Sequence, residues 1–482
     1  MQEKWQKLLN PMRRKAESEK SAGGSKNDAS GKMEYRTELE RDHDRILFST
    51  PVRRLADKTQ VFPLDKNDSV RNRLTHSHEV SNLARSIGVT FSTSIRPKIT
   101  DGLRNIPSVL GAVGLVHDLG NPPFGHQGEA AIRKWFSSRE KYFEKTFGDN
   151  KKKLLKDFLN FEGNAQTFRL VTRLQLINDG FGLDLTRATL AAMMKYPTSS
   201  YDLDKKFCAK KKHGFFESDR KVAEDVLHSV GLSIGRRHPL AYIMEACDDI
   251  AYATIDVEDC VKKGLASFND VVVYLENKCN EDELVKKVVS DSKEKFKEYS
   301  QLGLSANELD DISIQRFRVY AIGAMINSVI DCIKNNIEEI ENGSHREPLL
   351  EKSTAHVLRE CLGDFTKKYA FTNRAVLELE LRGFNTITEL MDIFWFAIQR
   401  AQSSDDAHGV PKGEHPFARY VYSRISENYR RVFEHPLPED SAYPIDYRRC
   451  LLLTDMISGM TDSYALNILD ELKSYKTFNL QI

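Results

Sequence analysis

The sequence predicts an all-α fold, and three observations carry that expectation. Apolar residues recur at helical spacing through 71–87, 239–259 and most of 265–482. Short polar turns separate these periodic stretches. No run alternates in the manner of a half-buried strand, and no Gly-rich phosphate loop, dinucleotide fingerprint or 20–50-residue repeat is present.

The bulk properties narrow the class. A chain of 482 residues can bury a large core, and its length alone suggests about three domains. With 40% hydrophobic and 29% charged residues it reads as an ordinary soluble globular protein. A formal charge of +1 gives no global case for nucleic acid or membrane binding, so any anion site is local. No apolar run approaches the roughly 20 residues that span a bilayer, and Met1–Lys7 lacks the apolar core of a signal peptide. The seven cysteines are odd in number and scattered, without a CxxC pair. That speaks against a disulfide framework and a thiolate zinc site, and places the chain in a reducing cytoplasm.

Taken in order, the chain opens with Trp5, Leu8 and Leu9 on a short amphipathic helix, and Ser18–Lys32 reads as a mobile Ser/Gly/Lys loop. Asp42–Phe62 sets Arg45, Arg53, Arg54 and Lys58 among apolar residues. Solvated cations are the plainer explanation, but Gln60 between apolar neighbours points to a ligand. In the helix over 71–87, Val80, Leu83 and Ile87 share a face with His76, with Arg73 one turn earlier and His78 projecting elsewhere. The apolar run Val109–Val116 then delivers His117 and Asp118 to its C-terminal end, where Gly120 stops the helix and Pro122-Pro123 prevent its resumption. His126 and Glu129 follow, three apart on the first turn of the next helix.

Lys134–Lys156 reads as a charged, solvated helical face. Asn164 and Gln166 open another helix, either as caps or facing a ligand. A further helix ends at Lys195-Tyr196-Pro197, before a lysine-rich loop over 205–212. In Pro239–Asp259, Asp248, Tyr252 and Asp256 recur every fourth residue on one face of an apolar helix, where carboxylates are costly without a cation or donors. Asp249 competes with Asp248 but faces about 100° away. Beyond 265 the pattern stays helical, with a polar loop over 402–416 and Arg374 as the best candidate for reaching an active site.

Two imidazoles (His76, His117) and two carboxylates (Asp118 and one of the 248/249 pair) form a nitrogen and oxygen donor set without sulfur. It suits Mg, Mn, Fe or Zn with open water positions. Arg45, Arg54, Arg73 and Lys195 supply cations for a polyphosphate, and His126 held by Glu129 is a candidate general acid or base. From the residues alone, the reading is a metal-dependent phosphohydrolase acting on an anionic, nucleotide-like substrate.

The pattern His76…His117-Asp118…Asp248 resembles that of the HD-domain phosphohydrolases. More narrowly, the chain resembles the bacterial deoxyguanosine triphosphate triphosphohydrolase (dGTPase) family of dNTP triphosphohydrolases. The matching blocks are Arg54-Leu55, Lys58–Phe62, Arg73–Ser77, His117–His126, Phe161–Gln166, Lys195–Pro197, Glu245–Tyr252 and Ile457–Asp462, in family order. The resemblance implies an HD-domain helical core over 36–270, after an N-terminal segment at 1–35. A C-terminal helical region over 271–482 would pack on that core and contribute to the oligomer and the active site.

It also implies hydrolysis at the α-phosphate to deoxynucleoside and tripolyphosphate. His76, His117, Asp118 and Asp248 become ligands of a divalent metal, Mg or Mn ahead of Fe, Co, Ni or Zn. His126 and Glu129 become the catalytic pair. Arg73 holds a phosphate, Gln60 and Asp256 the sugar 3′-hydroxyl, and Tyr252 packs on the deoxyribose. Arg54, Asn164, Lys195, Tyr196 and Arg374 complete the substrate set. The implied partners are a dNTP substrate, further copies of the chain in a tetramer or hexamer, and a regulatory dNTP or single-stranded DNA, with no membrane. The competing readings are another HD-type nucleotidase or phosphodiesterase, and a non-catalytic nucleotide or single-stranded DNA sensor.

Overall fold

Local capping chemistry sets the helix boundaries in the computed structural model, which describes residues 1–21, 35–62, 70–148, 151–404 and 407–475. Helices α1 (Gln2–Leu8) and α2 (Arg14–Ser21) precede α3 (Glu38–Leu47), which starts with a capping box between Thr37 and Glu40. Helix α4 (Thr50–Arg54) carries Pro51 in its first turn, and Asn72 caps α5 (Arg73–Thr90) by accepting the Thr75 N–H. Helices α6 (Gly102–Val116) and α7 (Gly125–Ser137) flank the His-Asp turn. Five short helices follow: α8 (Glu140–Thr146), α9 (Lys151–Leu159), α10 (Gly163–Arg169), α11 (Arg187–Met193) and α12 (Arg220–Ser229). Helix α13 (Pro239–Lys262) is buried on nearly all sides and packs against α5, α6 and α11.

The second half adds α14 (Phe268–Lys278), α15 (Glu283–Tyr299), the long α16 (Ala306–Asn335), α17 (Ile337–Glu341), α18 (Leu349–Lys352) and α19 (His356–Thr366). Of these, α16, α18 and α19 pack on α13. Then come α20 (Arg374–Ile398), α21 (Pro416–Ser423), α22 (Glu427–Glu434), α23 (Ile445–Ser458) and α24 (Asp462–Ser474). Helix α20 packs on α7 as well as on α21, α23 and α24, so both halves share one hydrophobic core. The fold is all-α. A small antiparallel hairpin, β1 (Gln402–Ser404) and β2 (Ala407–Gly409), occupies part of the expected 402–416 loop. No helix among the described residues is long and apolar enough to cross a membrane.

Several local expectations change. Lys134–Lys156 is not merely a solvated face: Trp135, Phe136, Phe143 and Phe147 are buried there and pack with Phe158 and Trp395. The charges dominate the composition of that stretch, while the aromatic spacing decides its packing. Residues 18–21 complete α2, and the remainder of the expected mobile loop, 22–32, lies outside the described residues. One disulfide, Cys279–Cys361, joins the end of α14 to α19, where the scattered cysteines argued against such bonding. Cysteines 82 positions apart in sequence meet only once α14 and α19 are packed.

Candidate active site

The site starts from how closely two helices approach. At Gly114 a Cβ would lie 2.6 Å from the Ser81 Cα, so only glycine lets α6 lie this tightly on α5. The His76 and His117 rings are thereby 5.5 Å apart, edge to face. Helix α6 ends at Val116, and the turn from His117 to Phe124 leads into α7. Gly120 was expected to stop the helix through its backbone freedom. Its φ is not positive; it is required because a Cβ would sit 2.1 Å from the Thr167 N of α10. The turn is packed against α10 backbone to backbone.

Ligand atoms of His76, His117 and Asp118 lie within 4.8 Å of one another. Asp248 of α13 brings Oδ1 to 3.2 Å from His76 Nε2 and 3.5 Å from His117 Nε2. Its Oδ2 turns to Lys195 Nζ at 3.3 Å. His117 Nδ1 is 2.7 Å from the Gly114 carbonyl, which fixes the proton there and leaves Nε2 facing the cluster. That Nε2 is buried and has no hydrogen-bond partner. Arg73 Nη1 donates to Asp118 Oδ2 at 2.5 Å, and Asn121 Nδ2 to Oδ1 at 2.5 Å.

These contacts set the charges. Burial pushes Asp118 up, but Arg73 and His117 overcome it and hold the carboxyl at about 2. Burial also disfavours charge on His117, yet Asp118 and Asp248 raise the imidazole to about 9. The carboxylates thus draw positive charge into the cluster. Asp248 lies well below the usual carboxylate range because Lys195 and His117 outweigh its burial.

The expected catalytic pair, His126 and Glu129, lies across the cavity. His126 Nδ1 is 3.4 Å from Glu129 Oε2, and the imidazole is 80% exposed at the mouth. Glu129 is buried and accepts the Gly163 N–H at 2.9 Å. Burial raises its pKa, but His126, Lys212 and that N–H bring it to about 2.

A cavity of about 140 Å³ joins these groups, lined by Gln60, Arg73, Asn164, Lys195, Tyr196 and Tyr252 together with the metal-ligand and catalytic candidates. Clefts of about 510 Å³ between α14 and α15, and about 520 Å³ beside α22, are larger but lie apart from this chemistry. Four expected residues do not line the cavity. Arg45 donates to the Leu183 carbonyl at 3.0 Å instead. Arg54 donates to the Gly459 carbonyl at 2.9 Å and the Tyr429 hydroxyl at 3.2 Å, in a separate cavity. Arg374 is exposed at the first turn of α20. Asp256 is buried one turn beyond Tyr252, with neither oxygen hydrogen-bonded. Gln166, left open as a cap or ligand-facing residue, donates to Asp455 inside the protein.

The cavity also contains Asn121, Glu162 and Lys212, which sequence reasoning did not place there. The signal for Glu162 was its position in the Phe161–Gln166 block. Lys212 stood in a lysine run whose facing only packing decides.

The chain is 34% identical to a deoxyguanosinetriphosphate triphosphohydrolase-like protein of Listeria monocytogenes, an alignment covering 97% of this chain and 99% of that one. This chain belongs to the deoxyguanosinetriphosphate triphosphohydrolase family. It is 32% identical to the deoxyguanosinetriphosphate triphosphohydrolase of Salmonella typhimurium, over 89% of this chain and 92% of that one. A deoxyguanosinetriphosphate triphosphohydrolase-like protein of Synechocystis is also 32% identical, with 91% and 94% covered. No family model matches the chain. Membership makes the protein a hydrolase, and the His/Asp cluster is where a metal ion fits.

Proposed function

We propose that the protein is a metal-dependent dNTP triphosphohydrolase, cleaving dGTP and other dNTPs at the α-phosphate to deoxynucleoside and tripolyphosphate. The observation that carries this reading is the convergence of His76, His117 and Asp118, with Asp248 against both imidazoles, beneath a cavity edged by Arg73 and Lys195. The sulfur-free donor set and the unpartnered Nε2 of His117 fit a divalent ion, magnesium or manganese ahead of iron, cobalt, nickel or zinc. When bound, such an ion would activate water and offset charge on the phosphoryl oxygens.

The chain's own residues supply the rest. Arg73 and Lys195 take phosphate oxygens in exchange for the carboxylates they now touch. Attack of water on the α-phosphorus breaks its bond to the 5′-oxygen, which needs a proton as it leaves. His126, with Nδ1 turned to Glu129, presents Nε2 to deliver that proton, and Glu129 stabilises the charged ring. Tyr252 packs on the deoxyribose, and Gln60, whose buried Oε1 has no partner, takes the 3′-hydroxyl. Asn164 and Tyr196 complete the wall, and Asp256 acts from behind Tyr252. Arg54 has no place in this arrangement.

The proposed assembly is a homo-oligomer, tetramer or hexamer, with Arg374 serving a neighbouring subunit. Leu377 and Leu381, exposed on the same turns of α20, support that reading. A regulatory dNTP or single-stranded DNA, and a cytoplasmic setting, belong to the same proposal.

The test incubates the protein with each dNTP, singly and in pairs, with Mg or Mn, and identifies the phosphate product by anion-exchange chromatography. Tripolyphosphate equimolar with deoxynucleoside is expected, with His126→Ala slower by about 100-fold or more. Orthophosphate or pyrophosphate as the first product would overturn the reading.

A further inference from the structure

Glu162 lines the cavity without a role in the reaction above. It directly precedes α10, is buried, and stands as a second carboxylate beside Glu129. Its Oε2 accepts from Lys212 Nζ at 2.9 Å, and its Oε1 lies 3.8 Å from Arg133 Nη1. The same Arg133 nitrogen donates to the Phe161 carbonyl at 2.9 Å and is 3.7 Å from Glu129 Oε2, the oxygen that faces His126. The other Glu129 oxygen is taken by the Gly163 N–H. Two cations therefore stand beside two buried carboxylates, and only one of those carboxylates orients the imidazole.

We propose that Glu162 is a positioning residue that engages Lys212, so that Glu129 Oε2 stays available to His126. The inference rests on the role given to His126 above. A 3.4 Å contact to an imidazole 80% exposed is weak and open to water. A lysine released beside Glu129 would displace it, because a charge-assisted bond to a buried carboxylate is the stronger one. The charged and titratable groups facing this pair are Arg133 on α7, Glu162 before α10, Lys212 and His213 on the segment before α12, and Arg73 on α5. Burial and the Glu129 charge both push Glu162 upward, and Lys212 pulls in the opposite direction.

The experiment follows His126 by NMR in the full-length protein with 13C-labelled histidine, the signal being assigned by its loss in His126→Ala. In Glu162→Gln the imidazole is expected to titrate about half a pH unit lower, as the freed Lys212 neutralises Glu129. For dNTP hydrolysis kcat should fall about tenfold, with KM changed less than about threefold. Glu162→Asp, which keeps the charge, should titrate like the wild type, and Glu162→Gln/Lys212→Met should recover much of the shift. A Glu162→Gln titration equal to wild type, identical behaviour of the Gln and Asp variants, or no recovery in the double variant would each overturn the proposal. Should Glu162→Gln not fold, Lys212→Met alone serves, with His126 unmoved or raised; a downward shift would overturn it. The titration needs no turnover, so absent tripolyphosphate release would sink the reaction reading and leave this test decisive.

Discussion

Asp256 shows what burying a carboxylate costs. Its carboxylate is buried with neither oxygen hydrogen-bonded, and burial together with Asp259 raises its pKa well above 3.8. The folded state therefore holds the proton more tightly than the unfolded chain. The stability from this group is complete below about pH 3.8 and is lost as pH rises towards the folded pKa. At neutral pH it is a liability. Asp256→Asn removes that liability, and the Tm should rise by about 2 °C at pH 7 and by less at pH 5. KM for a dNTP should increase if the residue serves the sugar. Calorimetry at both pH values checks the first part, and an unchanged Tm difference between them refutes it. His76, His117 and Asp118 were legible because an apolar face and a stopped helix are local patterns. That Glu162 comes near Glu129 was not, since the contact depends on how α10 docks beside α7.

Among the elements, the N-terminal helices are the least expected. Trp5 is fully buried and donates to Glu341 Oε1 at 2.9 Å, while the Arg187 N–H reaches the Met12 carbonyl at 2.9 Å. His238, the cap of α13, donates from Nε2 to the Leu8 carbonyl and accepts the Leu240 N–H on Nδ1. Accepting on Nδ1 requires a neutral ring, and burial lowers its pKa to about 4, against the Leu8 contact that favours the charged ring. The unfolded chain thus binds the extra proton between pH 6.5 and 4. The stability due to this group is full above about 6.5 and is lost as pH falls. The free-energy difference between wild type and His238→Gln should narrow by about 2 kcal/mol from pH 7.5 to 5.0 in urea unfolding. A constant difference would remove His238 as the pH-sensitive anchor of α1. The amphipathic pattern of residues 5–9 was readable, but its hydrogen-bond partners Glu341 and His238 lie more than 200 positions away.

At the scale of the molecule, one carboxylate joins the C-terminal helices to both sides of the site. Asp462, the first residue of α24, accepts the Thr59 N–H at 3.0 Å and the Phe124 N–H at 2.9 Å, and it also bonds the Thr59 hydroxyl. Thr59 adjoins Gln60, and Phe124 lies two residues before His126. Lys58 adds a second tie, donating to the carbonyls of Asn121 and Ser458 at 2.5 and 2.7 Å. Asp462→Ala leaves three buried donors without their acceptor. It should cost about 3 kcal/mol of stability and lower kcat by more than about tenfold, measured by urea unfolding and tripolyphosphate release. Residues 1–270 expressed alone should aggregate, because α13 would lose α16 and α19, and α7 would lose α20. A soluble, cooperatively unfolding 1–270 fragment would show that the C-terminal region is a separable domain.

What the sequence determined by itself was the helical class, the His-Asp turn, and the place of His76 on an apolar helix face. Each is encoded within one or two helical turns, where spacing along the chain decides which side chains share a face. Only the tertiary structure decided that Arg54 faces Gly459 and Tyr429 in another cavity, that Asp256 lies behind Tyr252, and that Lys212 and Glu162 meet beside Glu129. These outcomes depend on which helices pack against one another and how closely. Helical periodicity specifies a buried face but not the partner that buries it.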